Sequence, residues 1–476
     1  MMNQFRIEKD LIGKMEVPIS AYYGIQAVRA KENFNITENT VHPELIVAIA
    51  IVKKVAAISN MESSHLEDKI GKAICGAADE IIQGKFHDQF IVDPIQGGAG
   101  TSFNMNANEV IANRALEVIG KEKGDYDVIH PNTHVNMSQS TNDTFPTSIH
   151  ISTIRLISQL EKTMVSLQSA LSEKGKVFNH VIKMGRTHLQ DAVPIRLGQE
   201  FTAYSRVLLR DIKRVRCLYN GLLEVNLGAT AVGTGLNADP NYTERAINIL
   251  RDETGLEFVK SEDLVDATQN TDVYTEISAV LKICMMNMSK IANDLRLMAS
   301  GPRAGFSEIN LPARQPGSSI MPGKINPVIC EAVNQVAFQV SGNDQTIGMA
   351  SEAGQFELNV MEPVLIFSLH QSLQITNNVL KKFEEYCIQG IEPNIEVCNS
   401  YVERSIGIIT ALNPHVGYEI ATKVAKEALE TGKSIREIIL RDHILSDFAV
   451  DQVLNSFEMT NPGIAGNYLR VMQENY

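Results

Sequence analysis

Four short polar segments carry the residue types that could do chemistry on a small anion. The richest, Gly317-Ser318-Ser319-Ile320-Met321-Pro322-Gly323-Lys324-Ile325-Asn326-Pro327, sets hydroxyls, an ammonium and a carboxamide close together. A flexible linker would account for its Gly, Ser and Pro, but not for the apolar Ile320-Met321 pair or for Lys324 and Asn326 so near one another. A lid that closes over a ligand needs both hinges and something to bury. Ser138-Gln139-Ser140-Thr141-Asn142-Asp143 crowds hydrogen-bonding side chains ahead of a helix expected to begin near Pro146. Helix N-termini attract carboxylates through free N–H groups and the helix dipole, and Ser140, Thr141 and Asn142 add neutral donors. Capping alone explains one or two of these residues. Gly97-Gly98-Ala99-Gly100-Thr101-Ser102 lacks the Gly-Lys-Ser/Thr ending of a phosphate loop, so it reads as a tight turn that sets the Thr101 hydroxyl beside N–H groups able to face an anion. Lys183-Met184-Gly185-Arg186-Thr187-His188 gathers basic and titratable groups, and His188 has no metal-ligand partner at a spacing such as HExxH.

Long helices are the elements that must position these segments. Apolar residues recur at steps of three and four in three stripes: Leu160, Met164, Leu167, Leu171; Phe201, Tyr204, Leu208, Ile212, Val215, Tyr219, Leu222; and Ile277, Leu281, Cys284, Met288, Ile291, Leu295, Met298. Similar spacing at Val333, Val336 and Val340, then at Leu369, Leu373, Leu380 and Phe383, adds further helices. A mainly α chain built around a bundle of long helices is the economical architecture. Gly97 to Gly100 precede a helix-like run from Ala107. Breaks at His130-Pro131-Asn132 and at Gly390 to Pro393 divide the chain into an N-terminal domain over 1–145, a central bundle over 146–396 and a small C-terminal helical domain over 397–476.

Composition narrows the partners. With 476 residues, 43 Lys+Arg against 56 Asp+Glu and a net charge of −13, the chain lacks the basic surface that nucleic acid requires. The longest wholly apolar run, Leu45 to Val52, is far short of a membrane span, and the N-terminus has no signal pattern, so a cytoplasmic protein with no membrane partner is expected. Six scattered cysteines without a CxxC pair indicate buried reduced thiols.

Taken together, GSSIMPGKINP at 317–327, GGAGTSFNMNANEV at 97–110, HVNMSQSTND at 134–143, GRTHLQDAVP at 185–194 and GPRAGFSEI at 301–309 resemble the aspartase and class II fumarase family of lyases, in order and spacing, through essentially the whole chain. Argininosuccinate and adenylosuccinate lyases share mainly the 317–327 loop. Within the family, Ser140-Thr141-Asn142, where fumarases typically read Ser-Ser-Asn, and Leu311-Pro312-Ala313-Arg314-Gln315, where they carry acidic residues, are similar to the aspartase side.

The resemblance implies reversible loss of ammonia from L-aspartate to give fumarate, without a cofactor or metal. The alternatives are hydration of fumarate or a non-catalytic structural role. It implies that Ser318 is the base that removes the C3 proton. Thr101, Ser140, Thr141 and Ser319 would hold the carboxylate that becomes the enediolate. Lys324 and Asn326, with Thr187, would anchor the other carboxylate, and Asn142 and His188 would face the amino group, with Thr101 in reach. It also implies a homotetramer whose sites each draw segments from three subunits.

Overall fold

The apolar stripes become five long helices in a computed structural model that describes residues 5–467. They are Thr141–Val177, Leu197–Cys217, Asp272–Met298, Val328–Glu352 and Glu362–Tyr386, of 37, 21, 27, 25 and 25 residues. At 1.5 Å per residue the first is about 55 Å long. Leu160, Met164, Leu167 and Leu171 are fully buried, as is nearly all of the stripe from Ile277 to Met298. The second stripe breaks after Cys217, and Tyr219 and Leu222 belong to a separate short turn, Tyr219–Leu222. Val336 is only partly buried, whereas Val333 and Val340 are buried.

Two helices start earlier than local pattern suggests. The first long helix begins at Thr141 instead of near Pro146, so Pro146 lies inside it. A proline there deprives the Asn142 carbonyl of its i+4 donor. The side chain of Asn226 supplies a replacement, Nδ2 donating to the Asn142 oxygen at 3.0 Å. Likewise Thr101–Val118 begins at Thr101 and not at Ala107, because Asn104, Asn106 and Asn108 are buried polar residues that hide its apolar face in the sequence.

Strands among the described residues are confined to two-stranded pairs. Phe5–Lys9 pairs with Lys14–Pro18, and Ile182–Thr187 with Gln190–Arg196, both antiparallel. The run Leu45 to Val52 lies in helix Pro43–Glu62, which is buried around its whole circumference. Among the described residues no helix is long and apolar enough to cross a membrane.

The chain separates into two compact units, one from residues up to 162 with 211–285 and 336–378, the other from 163–210, 286–335 and 379 onward. Each long helix supplies residues to both. In the second unit Leu412, Val424, Ala428, Ile435, Ile438, Ile439, Val450 and Val453 form an apolar cluster of their own beneath short helices. All six cysteines are free. Cys284, Cys330, Cys387 and Cys398 are buried, but Cys75 is partly exposed and Cys217 exposed, the latter because it ends its helix on the outer face.

Candidate active site

In the first unit two helix N-termini start side by side. Thr101 opens its helix after Gly98, Ala99 and Gly100, all with left-handed backbone (φ 89°, 55° and 88°). Gly100 is required twice over, since a Cβ there would fall 2.5 Å from the Phe145 ring. The Phe103 and Phe145 rings pack at 6.0 Å, and Asn104 Nδ2 donates to Thr141 Oγ1 at 3.0 Å. Thr101 is exposed, Ser140 and Asn142 are partly buried, and Thr141 is buried. Ser140 and Asp143 turn out to cap the helix: Ser140 Oγ accepts from Asn142 N at 3.2 Å and Asp143 Oδ1 accepts from Ser140 N at 3.0 Å. The hydroxyls of Thr101, Ser140 and Thr141 remain able to donate at the positive ends of two helix dipoles, which is the electrostatic setting a carboxylate prefers.

Beneath these residues lies a network that local sequence reading does not reveal. Lys53 is fully buried, and its Nζ donates to Asn136 Oδ1 at 2.8 Å and Gln139 Oε1 at 2.9 Å. Asn136 Oδ1 also accepts from Asn104 and Asn108, each at 3.2 Å. Buried Asp143 accepts from the N–H of Gly228 at 3.1 Å and of Thr230 at 3.0 Å. Burial lowers the Lys53 ammonium to about 7, opposed by the charge of Asp143. Burial raises the Asp143 carboxyl to about 7, opposed by its three backbone donors and by Lys53. The one signal in the sequence is a lysine pair at the end of an otherwise apolar stretch.

In the second unit the 317–327 loop is closed at its neck. Gly317 N donates to Lys324 O at 2.7 Å, and Asn326 Nδ2 donates to Gly317 O at 2.8 Å. Within the loop, Ser318 Oγ accepts from the N–H of Ile320 at 3.2 Å and of Met321 at 3.1 Å. Two donors aimed at one hydroxyl oxygen favour its ionised form. Ser319, Ile320, Met321 and Lys324 are exposed. Lys324 and Asn326 border a cleft of about 800 Å³ with Arg296, Ser300, Asn310 and Glu331.

Thr187 and His188 stand at an exposed hairpin tip in the same unit. His188 and Leu189 form its two-residue turn with φ of 54° and 58°. Two consecutive left-handed residues make the tight turn that matches strand twist, at a strain of about 1 kcal/mol or more for a leucine. Lys183 and Arg186, from the same segment, point elsewhere: both are paired with buried Glu308. The structure therefore joins Thr101 with Ser140, Thr141 and Asn142, and Ser318 and Ser319 with Lys324 and Asn326. Thr187 and His188 do not line the cleft beside Lys324. No group of three or more metal-ligating side chains occurs among the described residues.

Comparison with known proteins shows the family of the chain. The models of a lyase family and of the fumarase C C-terminus match residues 13–342 and 408–461. The chain is 63% identical to the aspartate ammonia-lyase of Bacillus subtilis over 466 residues, 98% of each chain. It is 50% identical to that of Helicobacter pylori, over 96% of this chain and 98% of the relative. Among solved structures, a fumarate lyase:delta crystallin from Brucella melitensis bound to cobalt superposes with a TM-score of 0.94 at 46% identity, covering 96% of this chain and all of that one. A class II fumarase from Schistosoma mansoni superposes at 0.91 and 33%, with the same coverage.

Proposed function

The chain belongs to the aspartase and class II fumarase family of lyases, and from that membership we propose that it releases ammonia reversibly from L-aspartate to give fumarate. The observation that carries the choice of substrate is 63% identity to an aspartate ammonia-lyase across 98% of both chains, against 33% to a class II fumarase. Purified protein offered L-aspartate or L-malate, with fumarate followed by absorbance, tests it. Fumarate from malate and none from aspartate would overturn the reading.

The chemical difficulty is a carbon acid. The C3 proton lies beside a carboxylate, and its removal concentrates two negative charges in an enediolate, so donors must surround that carboxylate beforehand. Ser318 takes the proton, a role supported by the two N–H groups that would stabilise its alkoxide. Thr101, Ser140 and Thr141, at paired helix N-termini, hold the enediolate carboxylate with Ser319. Lys324 and Asn326 anchor the second carboxylate with Thr187. Asn142 and His188 face the amino group, with Thr101 in reach. This reading calls for no cofactor. It also reconciles a dianionic product with a chain of net charge −13, since Lys324 and helix N-termini supply positive potential locally.

The assembly we favour is a homotetramer in which three subunits complete each site. Its support is an exposed apolar series on the long helices, Ile283, Met286 and Leu297 on one and Phe338 and Met349 on another. Mixing Ser318→Ala with His188→Ala subunits under exchange should restore part of the activity if those residues meet across subunits. No recovery from a fully exchanged mixture removes the shared site. Of the domains read over 1–145, 146–396 and 397–476, the last is supported by the separate apolar cluster between Leu412 and Val453. A cytoplasmic location is supported by six unpaired thiols.

A further inference from the structure

Glu308 is completely buried, yet both cationic side chains of the Ile182–Thr187 strand converge on it. Its Oε1 accepts from Arg186 Nη1 at 2.7 Å, and its Oε2 lies 3.2 Å from Lys183 Nζ. Lys183 also donates to Glu200 at 3.0 Å, so two cations face two carboxylates. The backbone of Glu308 is pinned independently: its N–H donates to Met298 O at 2.8 Å, and its carbonyl accepts from Asn394 N at 2.9 Å and from Cys398 Sγ at 3.5 Å. The Arg186 guanidinium lies 4.3 Å from the centroid of Phe306 and 5.7 Å from that of Tyr401. Its plane and its hydrogen bond are thus both fixed.

The hairpin needs such a clamp. Its register shifts between Met184 and Arg186, so the strand ladder alone does not set the direction of the tip. Gly185 allows the bend, since a Cβ there would meet Val193 O at 2.7 Å. Beyond the bend, Arg186 immediately precedes Thr187 and His188. Buried ion pairs of this kind contribute little net stability, because desolvation offsets attraction, but they select one geometry.

We propose that Glu308 is a positioning residue for the reaction: through Arg186 and Lys183 it orients the hairpin tip that presents Thr187 and His188 to the substrate. The inference rests on the reading of Thr187 and His188 given above. Glu308→Gln keeps the shape and removes the charge. In the assembled enzyme it should raise KM for aspartate roughly tenfold or more while kcat changes much less, and should speed amide hydrogen exchange over 186–192 selectively. Glu308→Asp should recover part of the KM. Arg186→Lys, which keeps the charge but loses the planar stack, should give the same pattern more weakly and serves if Glu308→Gln does not fold. Unaltered exchange at the tip, or lost activity matched by lost folded protein with KM unchanged, overturns the clamp. Faster exchange at the tip with KM unchanged in both Glu308→Gln and Thr187→Val instead overturns the placement of Thr187 at the substrate, and with it the catalytic part of the inference.

Discussion

The side-chain amide of Asn226 donates to the main-chain oxygen of Asn142 at 3.0 Å, standing in for the N–H that Pro146 lacks. The partners are 84 residues apart in sequence. Because of this bond the helix can start at Thr141 and carry the Thr141-Asn142 pair in its first turn instead of in a loose approach to it.

Asn226→Ala should therefore leave a partly buried carbonyl without its donor and also remove the bond from Asn226 to Thr268 Oγ1 at 3.1 Å. We expect a loss of about 1–3 kcal/mol in stability, read as a lower urea midpoint, together with a raised KM for aspartate.

Ser318→Ala should leave a folded, assembled protein whose turnover has dropped by several orders of magnitude. Fumarate formation measured on protein with an unchanged thermal midpoint checks this, and nearly full activity would remove Ser318 as the base.

Gly317→Ala should open the loop without unfolding the chain. A Cβ at 317 would lie 2.7 Å from Lys324 O and 2.8 Å from Asn326 N, both backbone atoms that define the neck. Aspartate turnover is expected to fall roughly tenfold or more as the donors to Ser318 lose their alignment. A variant as active as the parent would show that the closed neck does not matter.

Lys324→Met should raise KM for aspartate and lower kcat together, because an anionic carboxylate loses the loop's cation. Steady-state kinetics with both constants unchanged would contradict the role given to Lys324.

Glu362 offers a test of pH dependence away from the site. Burial raises its carboxyl from 4.5 to about 8 in the folded chain. A raised carboxyl binds its proton more tightly folded than unfolded, so stability falls as pH rises from about 4.5 to about 8. Glu362→Gln should remove that loss. Its unfolding free energy should match the parent near pH 4 and exceed it by roughly 2 kcal/mol or more above pH 8. Equal pH profiles for the two proteins would refute it.

Much of this protein is legible in its sequence because the relevant physics is local. Helices declare themselves through the 3.6-residue repeat, and the stripes from Leu160, Phe201 and Ile277 are buried largely as their spacing implies. The chemistry of the four polar segments is equally local, being a matter of which donors and cations stand within a few residues of one another. What tertiary structure alone decided is which of those groups are free to act. Lys183 and Arg186 look as available as Lys324 in the sequence, but Glu308, more than 100 positions further on, engages them, while Lys324 stays exposed. Lys53 looks like a surface lysine beside Lys54 until Asn136 and Gln139 are found around it. The early start at Thr141 depends on Asn226, which no window of neighbouring residues contains. A buried polar group must find a partner wherever the fold brings one, and periodicity carries no information about that distance along the chain.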